Sequence, residues 1–157
     1  MNGPTQLTSE AWLLRGVVGM VGSVPGELKL SSGRVCFTAF GSGTLWKWQL
    51  RKLERDVGKP GLADRMNNGE NTLVFDVPLA EANARFPWLY FGELKVKIAG
   101  IEHRFMLCRP PNTCMPVGSS KVLKASTRII ELFQDFRKMV RLWTAWKTAL
   151  IEYSSTN

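Results

Sequence analysis

This sequence is short of the residues from which catalytic and metal centres are assembled: it holds one histidine, His103, and three cysteines in 157 residues. A metal site needs three or four well-placed ligands, and Cys36, Cys108 and Cys114 fit no common zinc spacing, so neither metal nor cofactor is expected. An odd cysteine count closes no complete disulfide framework, and free thiols are the expectation. No serine, cysteine or carboxylate beside His103 makes a nucleophile–base arrangement. The chain is accordingly expected not to be an enzyme, with no catalytic residues. No apolar run approaches the roughly 20 residues that cross a bilayer, and the N-terminus lacks the basic start and apolar stretch of a secretory signal. A cytoplasmic chain is expected, peripheral to the membrane at most. Acidic residues are also few, 13 against 21 Lys and Arg, which leaves a net charge of +8.

That charge directs attention to anionic partners: a membrane surface, an acidic protein or nucleic acid. It is concentrated at the end of the chain, where residues 119–157 carry 7 Lys and Arg against 3 Asp and Glu. The hydrophobic content of 45% is ordinary for a globular chain and supplies a core for one domain. The expected division is an N-terminal tail over 1–10, a single domain over 11–153 and a short tail over 154–157. Within the domain, strands fill about 11–109 and a helix about 120–153.

Period-two alternation dominates the first two thirds. Leu28 and Leu30 alternate with Glu27 and Lys29, and Val35, Phe37 and Ala39 resume the pattern after Ser31-Ser32-Gly33, which predicts an antiparallel hairpin with glycine at the turn. Ala11 to Val21 reads as a strand before it. Trp46, Trp48 and Leu50 alternate with Leu45, Lys47 and Gln49, which predicts a fourth strand over 44–50 with both indoles in the core. Gly58 to Gly61 and Asn67-Asn68-Gly69 mark a long polar connection. Thr72 to Val77 forms another strand, followed by a single helical turn near Pro78. Leu94–Ile98 and Ile101–Leu107 make a late hairpin about Ala99-Gly100. Between them Phe86-Pro87-Trp88-Leu89-Tyr90-Phe91 reads as an aromatic loop, because proline opposes a central strand.

Beyond the prolines at 110, 111 and 116 the period becomes helical. Ile129, Leu132, Phe133, Phe136, Met139, Val140, Trp143 and Leu150 gather on one side, and Arg137, Lys138 and Arg141 on another. The predicted fold class is mainly β with one α: about seven antiparallel strands in a barrel or sandwich, capped by a long C-terminal amphipathic helix.

The hairpin Gly26-Glu27-Leu28-Lys29-Leu30-Ser31-Ser32-Gly33-Arg34-Val35-Cys36-Phe37 resembles that of the pleckstrin-homology (PH-like) superfamily, in its GRAM-like and bacterial branches. Lys97-Ile98-Ala99-Gly100-Ile101-Glu102-His103-Arg104-Phe105 is similar to the late hairpin of that family, and Trp143 to its helical tryptophan. The resemblance implies a binding module for membranes or protein segments, without catalysis. It departs from the phosphoinositide-binding members in the loop Val21–Gly26, which carries no base. Arg15, Lys29 and Lys47 would flank a headgroup pocket only from strands.

Two binding surfaces follow. A helix of about 30 residues runs about 45 Å, longer than a small barrel's mouth. Trp146, Leu150 and Ile151 are therefore expected to overhang beside Arg137, Lys138, Arg141 and Lys147. With Trp88 and Tyr90 of the aromatic loop they form the candidate contact for a protein partner, an anionic membrane or a second copy of the chain. The alternative is nucleic acid, tracked by Lys95, Lys97, Arg104 and Arg109 on an outer strand face, although Glu93 and Glu102 interrupt that row.

Overall fold

The computed structural model describes residues 6–16, 21–87, 93–110 and 125–156, and in the last segment the side chains of 135–153. Seven antiparallel strands form one sheet in the order β4-β3-β2-β1-β7-β6-β5. They are β1 (Leu7–Arg15), β2 (Gly22–Ser31), β3 (Arg34–Phe40), β4 (Asn71–Pro78), β5 (Asn83–Arg85), β6 (Glu93–Ile98) and β7 (Ile101–Met106). The sheet does not close, since β4 and β5 are its two ends. Helices α1 (Lys47–Val57) and α2 (Leu62–Asn67) join β3 to β4, and α3 (Ala125–Thr156) follows β7.

The hairpin β2–β3 has the register its alternation dictates, with Leu30 opposite Val35 and Leu28 opposite Phe37. Its inner residues Leu28, Leu30, Val35, Phe37 and Ala39 are buried. Gly33 holds the turn at φ +70, and Tyr153 of α3 lies over it, so that even a Cβ there would meet the phenol. Gly26 is needed for a different reason: a Cβ would come within 2.3 Å of the Thr38 carbonyl oxygen and 2.5 Å of the Phe37 ring. Phe37 in turn meets Phe105 edge-on at 5.0 Å, and the late hairpin thereby joins the same core.

Four differences from the sequence reading have physical causes. The first strand starts at Leu7, within the expected tail, because Ser9 is drawn into the core by a hydrogen bond from Trp146 Nε1 at 2.9 Å. Residues 44–50 do not form a strand: Lys47–Val57 is a helix that turns Gln49, Leu50 and Leu53 inward and Trp46 and Trp48 outward. The polar connection contains α2, whose Leu62, Ala63 and Met66 are buried. The number of strands stays at seven because β5 follows the 3₁₀ turn Leu79–Glu81, where no strand was expected.

The terminal helix covers the sheet with Met139, Trp146 and Ala149 buried and Leu142, Trp143, Leu150 and Tyr153 half-buried. Trp146 is fully enclosed and does not overhang. At 3.6 residues per turn Trp146 stands about 80° round the helix from Phe136. The buried side is centred on Trp146, and Phe136 and Val140, expected on it, are exposed.

Candidate functional site

Helix α1 closes the end of the sheet where β1 stops and β2 starts. Gly22 lies against Leu45 and Gln49, and Thr44 N–H donates to the Ser23 carbonyl at 2.9 Å. Gln49 secures the first turn: its side-chain oxygen accepts from Trp46 N–H at 2.9 Å, and its amide donates to the Arg15 carbonyl at 3.3 Å. Arg15 also pairs with Asp56. At the far end Gly58 adopts φ +64 and its N–H reaches the Arg55 carbonyl, a left-handed stop of the kind glycine permits.

With that inner side fixed, the outer side of α1 carries Trp46, Lys47, Trp48, Arg51, Lys52 and Arg55, all exposed. The indoles are 66% and 49% exposed, unusual for the largest apolar side chain. Val21, at the entry to β2, adds a further exposed apolar residue at the same end. Arg51 is held by Glu54 and Asp64, at 3.3 and 2.7 Å. Lys47, Lys52 and Arg55 have no carboxylate partner among the described residues. Both acidic residues of the helix serve the fold: Asp56 binds Arg15, and Glu54 accepts from Ala63 N–H at 2.9 Å, a bond that lowers its pKa.

Beside α1 a cleft of ≈ 370 Å³ is bordered by Arg15, Trp48, Lys52, Asp56, Glu102 and Arg104. Two of its three cations are already committed, Arg15 to Asp56 and Arg104 to Glu93, and two carboxylates face the same space. A multiply phosphorylated headgroup needs several unopposed donors, so this cleft is poorly suited to one.

His103 lies beneath, almost wholly buried, with its ring 5.6 Å from that of Phe75. Burial, reinforced by the charge of Arg15 and opposed by Asp56, pushes its pKa down to about 4. Its Nδ1 has no hydrogen-bond partner among the described residues. Cys36 and Cys108 are free thiols, both raised in pKa, chiefly by burial. The described residues contain no group of three or more His, Cys, Asp and Glu able to hold a metal, and no helix long and apolar enough to cross a membrane.

The residues predicted from sequence divide unevenly. On α3, Arg137, Lys138, Arg141 and Lys147 are exposed, but Trp146 is core and Leu150 is half-buried. Lys147 lies 5.0 Å from the centre of the Trp143 ring. Trp88 and Tyr90 lie outside the described residues; Phe86, beside them in sequence, meets Trp143 edge-on at 5.5 Å. In the nucleic-acid alternative, Lys95 pairs with Glu102 at 3.2 Å and Arg104 with Glu93 at 2.7 Å, while Lys97 and Arg109 are exposed. Two of its four bases are therefore neutralised across the β6–β7 hairpin. The exposed indoles of α1 were missed because their alternation reads as a strand. The signal that finds them is Leu50, Leu53 and Val57 at helical spacing, closed by Gly58.

Comparison with protein-family models, with curated proteins and with solved structures yields no match.

Proposed function

We propose that this protein is a non-catalytic, PH-like binding module that docks on an anionic membrane surface through the outer side of α1. The observation that carries the reading is the pairing of two exposed indoles, Trp46 and Trp48, with Lys47, Lys52 and Arg55 on one short helix. Tryptophan favours the membrane–water interface, where its ring is apolar and its N–H stays wet. Each base near an anionic leaflet contributes on the order of 1 kcal/mol. The net charge of +8 acts in the same direction at longer range.

The PH-like assignment is supported by the two hairpin motifs, the antiparallel order of seven strands and the helix that follows them. Within it, the protein binds by surface charge and interfacial indoles instead of one inositide headgroup, because the cleft beside α1 presents Asp56 and Glu102 as well as bases.

Co-sedimentation with phosphatidylcholine vesicles, with and without phosphatidylserine, tests the reading. Binding is expected only to the anionic vesicles and is expected to survive an oligonucleotide competitor. The Trp46→Ala, Trp48→Ala double variant should bind these vesicles more weakly and lose the part of the binding that survives high salt, while unfolding at the wild-type midpoint. Absence of anionic-vesicle binding at low salt would overturn the reading, as would complete displacement by the oligonucleotide.

A further inference from the structure

The outer side of α3 presents a second surface. Residues Phe136, Val140, Thr144 and Thr148 follow one another at steps of four along it, which places them in a single ridge about 18 Å long. All four are exposed; Phe136 is 52% and Val140 37% exposed. The ridge carries no charge. Thr144 Oγ1 donates to the Val140 carbonyl at 2.8 Å, so covering this hydroxyl would strand no donor. Arg137 and Arg141 lie along one flank, with Lys138 beside them, and none of these three has a carboxylate partner among the described residues.

An uncharged ridge beside unpaired bases is the complement of one kind of partner. We infer that α3 docks an acidic amphipathic helix, whose apolar stripe covers Phe136 and Val140 and whose carboxylates pair with Arg137, Arg141 and Lys138. Helices pack by such i, i+4 ridges, and charges flanking an apolar seam select partner and orientation. A second copy of this chain brings bases against bases. A nucleic-acid backbone pairs with the arginines and leaves the two apolar side chains wet. A membrane needs a continuous apolar stripe, and α3 has placed its own against the sheet through Met139, Trp146 and Ala149. The ridge and α1 also sit by different parts of the sheet: α3 lies beside Ser9, Glu10 and Trp12 of β1, whereas α1 holds Arg15 at the end of that strand. Both surfaces can be occupied together.

Fluorescence anisotropy with three labelled synthetic peptides tests this. One has leucines at helical spacing with glutamates elsewhere, the second replaces glutamate by lysine, and the third keeps glutamate and replaces leucine by serine. The Leu/Glu peptide is expected to bind, the Leu/Lys peptide not to bind, and the Ser/Glu peptide to bind about tenfold more weakly or less, since it covers no apolar surface. Phe136→Ser with Val140→Ser should weaken the Leu/Glu peptide by a similar factor, and Arg137→Glu with Arg141→Glu should abolish its binding. Both double variants should keep the wild-type unfolding midpoint, and Phe136→Ser with Val140→Ser, which leaves the charge of the chain unchanged, should keep sedimentation with anionic vesicles, which separates this surface from that of α1. No binding of the Leu/Glu peptide overturns the inference, and so does binding that neither double variant changes. Equal affinity for the Ser/Glu peptide, or loss of vesicle sedimentation in the Phe136→Ser, Val140→Ser variant, also overturns it.

Discussion

Trp146 and Trp48 carry the same indole into opposite environments, and this difference can be measured. Trp146 is fully enclosed and its Nε1 donates to Ser9, so Trp146→Ala leaves both a cavity and an unpaired hydroxyl. The expected loss is about 4 kcal/mol, in the range of large-to-small aromatic truncations, read as a lower urea midpoint. Trp48→Ala, on the wet side of α1, should move stability by about 0.5 kcal/mol or less. His103 gives the second residue-scale test. Its pKa, about 4 in the fold against about 6.5 unfolded, means that the unfolded chain binds the extra proton between those values. Stability is therefore intact above about pH 6.5 and falls as the pH drops towards 4, by up to about 3 kcal/mol. Urea titrations across that interval should show the decline, and His103→Phe should flatten it; an unchanged slope in the variant would assign the loss to carboxylates instead.

At the scale of elements, hairpins were legible and helices in the insertion were not. The β2–β3 and β6–β7 hairpins declare themselves because one wet face and one buried face force a strict alternation, and a one-residue slip would reverse both. The same alternation misleads at 44–50, where two exposed indoles imitate a buried row; only Leu50, Leu53 and Val57 report the helix. Trp46 and Trp48 are exposed on α1, and an exposed tryptophan contradicts the usual meaning of its own side chain. The candidate site was thus least visible where it breaks the burial rule, whereas the bases of α3 were visible as charge but not as a surface beside an apolar ridge. The β2–β3 hairpin supplies the element-scale prediction. Gly26→Ala forces a methyl group against the Thr38 carbonyl and the Phe37 ring, and overpacking of this kind costs about 1 to 3 kcal/mol. Calorimetry should show a lower melting temperature for that variant. Glu27→Ala, the next residue on the hydrated face, should melt with the wild type.

For the whole molecule, the two proposed surfaces are carried by different helices, α1 beside Arg15 and α3 beside Ser9 to Trp12, and salt tests the first of them. The proposed binding by α1 would have a Coulomb part, from Lys47, Lys52, Arg55 and the surrounding charge of +8, and an interfacial part from Trp46 and Trp48. Raising ionic strength from 0.1 M to 1 M shortens the Debye length from about 10 Å to about 3 Å, which removes most of the first and leaves the second. Wild-type affinity for phosphatidylserine vesicles should therefore fall steeply with salt and level off above zero. Lys47→Gln and Lys52→Gln should each lower low-salt affinity about fivefold, the equivalent of about 1 kcal/mol per base, and converge on the wild type at high salt. The Trp46→Ala, Trp48→Ala variant should keep the salt slope and lose the high-salt remainder. A wild-type curve that falls to zero would remove the indoles from the binding account, and a flat one would remove the bases.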